Sequence, residues 1–429
     1  MGQGVLSPAF TREGDVVCCE GVSLPRLADA VGTPAYVYSA SAIRTQYRTL
    51  ADALGRVPHR IHYSVKANGN LAILRLLREL GAGVDIVSGG ELYRARRAGY
   101  QGPEIVFSGV GKTGGEIADA LRAGVRLINV ESESELAVVE AEAARLGVQA
   151  PIALRVNPEI EVSSPHAYIK TGERGTKFGI GYDQARQVAL RSRGLPHLRL
   201  LGLDMHLGSQ IPDVAPYVAA LARLLELYRH LVADGFRDLR YLDVGGGLAV
   251  SYDGERAADA AAFGAMVSDA VEPTGLTLIV EPGRYIVGNA GVLVTRVLYR
   301  KQTGGKTYVI TDAGMTDFLR PSHYSAYHRI ESAARAPVWA RSTVDVVGPV
   351  CESGDFFAVD RELTDVAAGD LLVIYSAGAY GFVMASNYNA RPRPAEVLVE
   401  GGRFAVVSER ETYDDLVRHE PSTLAWRDG

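Results

Sequence analysis

The sequence predicts an α/β fold, a (β/α)8 TIM-like barrel joined to a second, all-β domain of the β-sandwich or β-barrel kind. Three observations predict it. Between residues 61 and 281, eight short β-branched or aliphatic runs alternate with longer segments of helical period, the pattern of parallel strands joined by helices. Nearly every run ends in a residue with chemistry (Lys66, Ser88, Glu131, Asn157, His206 and Glu281), and barrels gather their active sites at that end. After Gly288 the helical period gives way to short extended runs separated by turns.

The first 35 residues lack helical period until Leu24 and are expected to add a strand or two to the β domain. An extra helix over 41–53 precedes the first barrel strand, and either closes one end of the barrel or packs beside it. The eight runs are 61–66, 84–88, 105–108, 127–131, 153–157, 201–206, 241–245 and 276–281. Helical stretches such as 70–80, 134–146 and 217–233 lie between them, with Leu, Ile, Val and Ala three and four residues apart. A doubly wound open sheet has the same local grammar; the polar residues at the strand ends favour the closed barrel. Runs 292–299, 307–311, 343–347, 371–375 and 404–407 read as strands of the second domain. The expected division is a barrel over 36–288 and a β domain made of 1–35 and 289–429.

Composition narrows the function. Lys and Arg number 45 against 50 Asp and Glu, a formal charge of -5, which excludes a polybasic nucleic-acid binder. The longest apolar candidate, 276–298, is broken by Glu281, Arg284 and Arg296, so no membrane span is expected. No secretory signal is visible at the N-terminus, and a cytoplasmic location is expected. Cys18, Cys19 and Cys351 are too few for a disulfide framework; Cys18 and Cys19 read as buried apolar residues. The nine histidines form no metal-binding pair with a helical Glu and the cysteines no Cys-x-x-Cys, so no metal site is expected.

Gly109, Gly111 and Gly114 imitate a dinucleotide fingerprint, with Glu131 twenty residues beyond Gly111. That fingerprint belongs at the first strand of its unit, whereas this one follows the third of eight. A P-loop fails because Val106 stands where its first glycine is required. The stretch reads as a glycine-rich βα loop.

The chemistry is carried elsewhere. Lys66 ends an otherwise apolar strand in His62-Tyr63-Ser64-Val65-Lys66-Ala67-Asn68, and a desolvated lysine of depressed pKa is suited to forming a Schiff base with an aldehyde. The other strand ends supply partners for one aldehyde in particular, pyridoxal 5'-phosphate. His206, in His206-Leu207-Gly208-Ser209-Gln210, can stack on a pyridine ring, with Ser209 near enough to bind phosphate. Gly245, Gly246 and Gly247 offer bare amides to an anion. Glu281, in Glu281-Pro282-Gly283-Arg284, can hold the pyridine nitrogen protonated.

These four sites in this order resemble the diaminopimelate decarboxylase family, within the wider group of barrel-type pyridoxal-phosphate decarboxylases that includes ornithine and arginine decarboxylases. The resemblance extends through nearly the whole chain. It implies that Lys66 carries the cofactor, that His206 stacks on its ring, that Gly246, Gly247 and the Gly283-Arg284 backbone help hold phosphate, and that Glu281 pairs with the pyridine nitrogen. Gly348-Pro349-Val350-Cys351-Glu352-Ser353-Gly354-Asp355 looks like the family's Cys-Glu-Ser motif, and Tyr380 in Ala379-Tyr380-Gly381 matches a tyrosine beside the cofactor. The Cys-Glu segment comes from the partner subunit in that family, so the resemblance implies a head-to-tail homodimer with shared active sites.

Selectivity among such enzymes lies in what grips the far end of the substrate. Arg320 and Tyr324, with Arg284 contributing, match positions that bind the distal carboxylate of diaminopimelate, and a planar guanidinium forks onto a carboxylate. Glu352 would pair with the distal ammonium. The expected reaction is decarboxylation of meso-2,6-diaminopimelate to L-lysine and CO2, the last step of lysine biosynthesis, with Cys351 as proton donor. A decarboxylase of ornithine, lysine, arginine or a carboxylated polyamine is the alternative. A racemase, or an inactive relative serving as a binding protein, fits less well, because Lys66, Glu281 and Cys351 are all present.

Overall fold

The structure is a computed structural model that describes residues 8–161, 166, 171–334 and 340–427. It divides into two compact units, Ala40–Ala290 and Pro8–Ser39 with Gly291–Gly429. In the first, eight parallel strands pair in sequence order: β1 (His59–Ser64), β2 (Gly83–Ile86), β3 (Ile105–Phe107), β4 (Leu127–Val130), β5 (Ala150–Asn157), β6 (Leu198–Asp204), β7 (Tyr241–Asp243) and β8 (Thr277–Val280). Val280 of β8 lies opposite Ile61 of β1, and that pairing closes the expected barrel. Val106, Leu127, Ala153, Leu201 and Ile279 cluster inside it, with Tyr241 packed against them. β-Branched and aliphatic side chains in those runs fill a closed sheet from within.

A helix follows every strand: Leu71–Glu79, Gly89–Arg97, Gly114–Ala123, Glu133–Leu146, Tyr182–Ser192, Ala215–Ala233, Ala260–Val271 and the short Arg284–Val287. Asn70, Ser88, Thr113, Ser132 and Asp259 begin five of them by accepting backbone N–H groups of the first turn. Ser88, expected at a chemically active strand end, is therefore a helix cap. The additional helix Ala40–Ala53 packs beside the barrel helix Ala260–Val271, where a Cβ on Gly264 would lie 2.2 Å from Ala53 O.

The strands end earlier than the apolar runs suggest. β1 stops at Ser64, whose N–H donates to Pro282 O (3.1 Å), and Val65–Ala67 form a single 3-10 turn. Lys66 thus stands two residues beyond its strand, as His206 stands two beyond β6. The glycine-rich stretch after β3 is spent on its own fold. Gly109 N–H donates to Glu131 Oε1 (2.9 Å), and the buried Lys112 ammonium donates to Gly109 O, Asn129 O and Glu135 Oε1.

The second unit is mainly sheet. Gly291–Thr303 pairs with Ala35–Ser39, Lys306–Thr311 and Leu371–Ile374; Arg341–Val347 lies between Lys306–Thr311 and Phe356–Thr364; and Ala395–Glu400 joins Ala35–Ser39 to Arg403–Ser408. Phe10–Glu13, Val16–Cys19 and Val22–Ser23 form a separate three-stranded sheet, followed by the helix Leu24–Val31. Cys18 and Cys19 are buried there, each a free thiol whose pKa burial raises. Sequence reading missed Ala35–Ser39, Ile330–Ser332, Phe356–Thr364 and Ala395–Glu400. In the segment 162–177, whose Ser, Pro, Gly and charged residues read in the sequence as a loop with a lid role left open, residues 162–165 and 167–170 lie outside the described residues. Among the described residues no helix is long and apolar enough to cross a membrane.

Candidate active site

The register between β1 and β2 places Ser64 opposite Asp85, and that pairing builds the centre of the barrel mouth. Asp85 is fully buried, and Lys66 Nζ donates to its Oδ2 at 2.6 Å. Ser64 Oγ lies 2.9 Å from the same Oδ2 and 3.0 Å from Glu281 O, tying β2 to the end of β8. The expectation of a desolvated lysine is corrected here. The Lys66 side chain is 35% exposed and its charge is met by Asp85, so its Nζ is fixed in place by an ion pair.

Glu281 is 5% exposed and accepts from Ser108 Oγ (3.3 Å) and Asn129 Nδ2 (3.5 Å). Asp204, Asp243 and Glu281 bring carboxylate oxygens within 4.8 Å of one another, all buried. Three such carboxylates cannot all be ionised out of water. Burial, and then the charges of Asp243, Asp85 and Asp204, raise the pKa of Glu281 well above the usual carboxylate range. Asp243 accepts from Gly245 N–H (2.9 Å) with one oxygen, while its Oδ2 and Asp204 Oδ1 are buried without partners. This acidic floor favours a cation or a protonated ring nitrogen above it.

His206 Nδ1 accepts the Gly246 N–H at 3.1 Å, so the ring is neutral and carries its proton on Nε2. Burial lowers its pKa, and the charges of Arg155 and Lys66 push the same way. Arg155 is held by Glu131 Oε1 at 2.7 Å with Asp204 Oδ2 at 3.9 Å. Burial opposes its charge, but Glu131, Asp204 and Glu281 outweigh that and raise its pKa. Glu131 and Asn157, expected beside the chemistry, are scaffold. Glu131 takes Arg155 and the Gly109 N–H, and Asn157 Nδ2 donates to Glu173 O and Phe178 O of the loop before the helix Tyr182–Ser192.

The glycines after β7 form a bare backbone ledge. A Cβ on Gly246 would stand 2.2 Å from Glu281 O, and one on Gly245 2.4 Å from His206 Nδ1, so neither position admits a side chain. Gly283 is also confined, since a Cβ there would lie 2.9 Å from Ala67 Cβ. Arg284, buried, donates through Nε and Nη2 to Ser209 Oγ (3.2 Å each) and through Nη1 to Tyr252 Oη (2.5 Å). A primary amine, a neutral imidazole, an acidic floor and a side-chain-free backbone with a cation beside it together suit pyridoxal phosphate: an aldehyde, a ring, a pyridine nitrogen and a phosphate.

The second unit holds the remaining expected residues. Arg320, at the start of the short helix Arg320–Tyr324, is buried at 6% exposure, and its Cζ lies 5.8 Å from the Tyr324 ring centre. Cys351 and Glu352 are both exposed, in a loop tied down by Asp355, whose carboxylate accepts from Met315 and Val350 N–H at 2.6 Å each. Cys351 N–H donates to Asn389 Oδ1 (2.8 Å). Tyr380 adopts φ 55°, a left-handed conformation that a non-glycine residue holds only when its surroundings enforce it.

Asp85, Arg155, Asp204 and Glu91 escaped the sequence reading. Glu91 Oε2 accepts Val87 N–H (2.8 Å), and burial pushes its carboxyl up to about 7 while Lys66 pulls it down. The available signal was a charged residue inside an apolar run, as in Gly83-Val84-Asp85-Ile86 and Leu203-Asp204-Met205.

Comparison with known proteins agrees with this geometry. Residues 40–288 match the family described as pyridoxal-dependent decarboxylase, pyridoxal binding domain. The diaminopimelate decarboxylase of Pseudomonas aeruginosa is 49% identical over 95% of this chain and 97% of its own. The crystal structure of the Helicobacter pylori diaminopimelate decarboxylase complexed with L-lysine superposes with a TM-score of 0.89 at 41% identity, over 93% of this chain and 99% of that one. That of M. jannaschii in co-complex with L-lysine gives 0.92 at 34% identity, over 98% and 99%. A barrel mouth built for pyridoxal phosphate and likeness along nearly the full length lead to one conclusion: the chain belongs to the diaminopimelate decarboxylases, within the pyridoxal-dependent decarboxylases.

Proposed function

We propose that the protein decarboxylates meso-2,6-diaminopimelate to L-lysine and CO2, the closing step of lysine biosynthesis, with pyridoxal 5'-phosphate as cofactor. The observation that carries this reading is the placement of Lys66 Nζ, 2.6 Å from buried Asp85, in the same barrel mouth as buried Glu281. Bound pyridoxal phosphate supplies a sink for the electron pair left as the carboxylate departs. The protein's residues supply the rest. Lys66 would hold the cofactor through Nζ, the primary amine of the barrel mouth. Neutral His206 would stack on the ring, and Glu281, backed by Asp204 and Asp243, would pair with the pyridine nitrogen and favour its protonated form. Gly246, Gly247, Ser209 and the Gly283-Arg284 backbone would hold the phosphate, and Tyr380 would stand beside the cofactor.

Substrate choice rests on the distal end. Arg320, with Tyr324 and Arg284, binds the second carboxylate, and Glu352 pairs with the second ammonium, a pattern that a monocarboxylic amino acid leaves unsatisfied. Cys351 delivers a proton to the D-configured carbon after CO2 departs. The exposure of Cys351 and Glu352 supports a head-to-tail homodimer in which each subunit lends this loop to the other's site. The free Cys18 and Cys19 thiols and a small amino-acid substrate support a cytoplasmic location.

Borohydride reduction of the cofactor-loaded enzyme, followed by peptide mapping, tests the assignment. The added cofactor mass should sit on the peptide bearing Lys66. Its appearance on Lys112 or Lys177 instead would contradict the site.

A further inference from the structure

Arg320 is held from behind by a histidine. Its Nε donates to His328 Nε2 at 3.3 Å. A guanidinium nitrogen keeps its hydrogen, so Nε2 must present a lone pair and the ring proton must sit on Nδ1. Nδ1 lies 2.9 Å from Tyr375 O, an acceptor that requires the same tautomer. His328 is wholly buried, and its ring meets Phe318 edge to face at 4.6 Å. Its own carbonyl accepts Arg361 Nη1 at 2.8 Å. The Tyr375 acceptor is itself rigid, because Tyr375 N–H donates to Arg329 O and the preceding strand Leu371–Ile374 pairs with Ile330–Ser332. Both ring nitrogens are therefore committed, and the imidazole has one orientation.

We propose that His328 is a positioning residue for substrate selection, fixing through Nε the rotation of the guanidinium with which Arg320 reads the distal carboxylate of a dicarboxylic amino acid. The proposal rests on the role of Arg320 proposed above. Two-point recognition of a carboxylate depends on the plane of the guanidinium, and a side chain with many rotamers keeps that plane only when a neighbour holds it. Without the imidazole acceptor, Nε–H loses the hydrogen bond to His328, and the plane of the guanidinium is no longer set from that side.

Two substitutions separate the hydrogen bond from the packing. His328→Phe keeps a ring against Phe318 but offers no acceptor; His328→Gln offers an amide oxygen to Nε and an amide N–H to Tyr375 O. His328→Phe should raise KM for meso-diaminopimelate roughly ten-fold, the loss expected of one charge-assisted hydrogen bond, with kcat within about two-fold. His328→Gln should recover most of that loss. The inhibition constant of D-lysine, which lacks a distal carboxylate, should not move. In an Arg320→Lys background, where no Nε exists, His328→Phe should add nothing further. If Arg320→Lys raises KM and His328→Phe does not, the proposal is overturned while the role of Arg320 stands. If Arg320→Lys leaves KM unchanged, it is the role of Arg320 that fails. Equal losses for both ligands, with kcat falling alongside, would show a merely structural histidine and also overturn the proposal. Should His328→Phe not fold, His328→Met, which likewise lacks a comparable acceptor, takes its place in every comparison.

Discussion

Replacing Lys66 with methionine removes the ammonium and keeps the apolar stem. The consequence for the barrel follows from Asp85. Its side chain has no exposed surface, its Oδ1 has no partner, and its Oδ2 keeps only Ser64 Oγ once Nζ is gone. Breaking a buried ion pair from one side costs about 3–5 kcal/mol. Lys66 itself is 35% exposed, so water reaches the pair from that side, and a cost of about 2–3 kcal/mol is the appropriate figure. For a unit of this size that corresponds to a fall in Tm of roughly 4–10 °C. The assay is thermal unfolding of cofactor-free protein at neutral pH, with visible absorbance measured after adding pyridoxal phosphate. Lys66→Met should lose both stability and the absorbance of the covalently held cofactor. Lys66→Met with Asp85→Asn should regain most of the stability and none of the absorbance, because the second change removes the orphaned charge without restoring the amine. Unfolding of Lys66→Met within a degree of the parent, or survival of the visible band, would refute the reasoning.

Three further outcomes follow from the same geometry. Gly246→Ala sets a methyl 2.2 Å from Glu281 O, so the ledge must move, and pyridoxal-phosphate affinity measured by fluorescence titration should weaken at least about ten-fold; unchanged affinity would remove Gly246 from the cradle. His62 is buried with Nδ1 unpartnered, and burial, then Arg126 and Arg60, lower its pKa from 6.5 to about 3. Above pH 6.5 it is neutral folded or unfolded. As pH falls below 6.5 only the unfolded chain takes up the proton, so stability drains away down to about pH 3. From pH 6.5 to pH 4 the loss from this group is about 3 kcal/mol; urea unfolding should show it in the parent and not in His62→Leu, and parallel acid limbs would contradict it. Finally, Lys66→Ala and Cys351→Ala should each be inactive alone, yet on mixing and subunit exchange should regain about a quarter of parent activity if sites are shared. No regain would place Lys66 and Cys351 of one site on the same subunit.

Much of this was legible in the chain because strand interiors of a barrel are apolar and chemistry collects at their ends. Lys66, His206 and Glu281 stood out as polar residues closing apolar runs, and they do meet in the barrel mouth. The same rule also selected Ser88, Glu131 and Asn157, which cap a helix, clamp Arg155 and pin a loop. A polar strand end can serve the fold or the reaction, and only contacts across strands tell them apart. Asp85, Asp204 and Arg155 went unseen for the complementary reason. Each lies within an apolar run, and what makes them matter is the register that sets Asp85 opposite Ser64 and Asp204 opposite Arg155 and Asp243. In the second unit, Phe356–Thr364 escaped notice because its charged residues Asp360, Arg361 and Glu362 hide the alternation expected of a strand. His328 was equally invisible, since nothing local marks it; Arg320 lies eight residues away along the chain.

The central claim is that this barrel mouth, loaded with pyridoxal phosphate, decarboxylates a substrate carrying two amino-acid heads. The most direct test is CO2 release by the purified protein with added cofactor, comparing meso-diaminopimelate with L-ornithine, L-lysine and L-arginine at equal concentration. Release from meso-diaminopimelate with L-lysine as product, and little from the others, is the predicted result. Release from ornithine, lysine or arginine in preference would contradict the distal-carboxylate account, and no release from any of the four would contradict the claim itself.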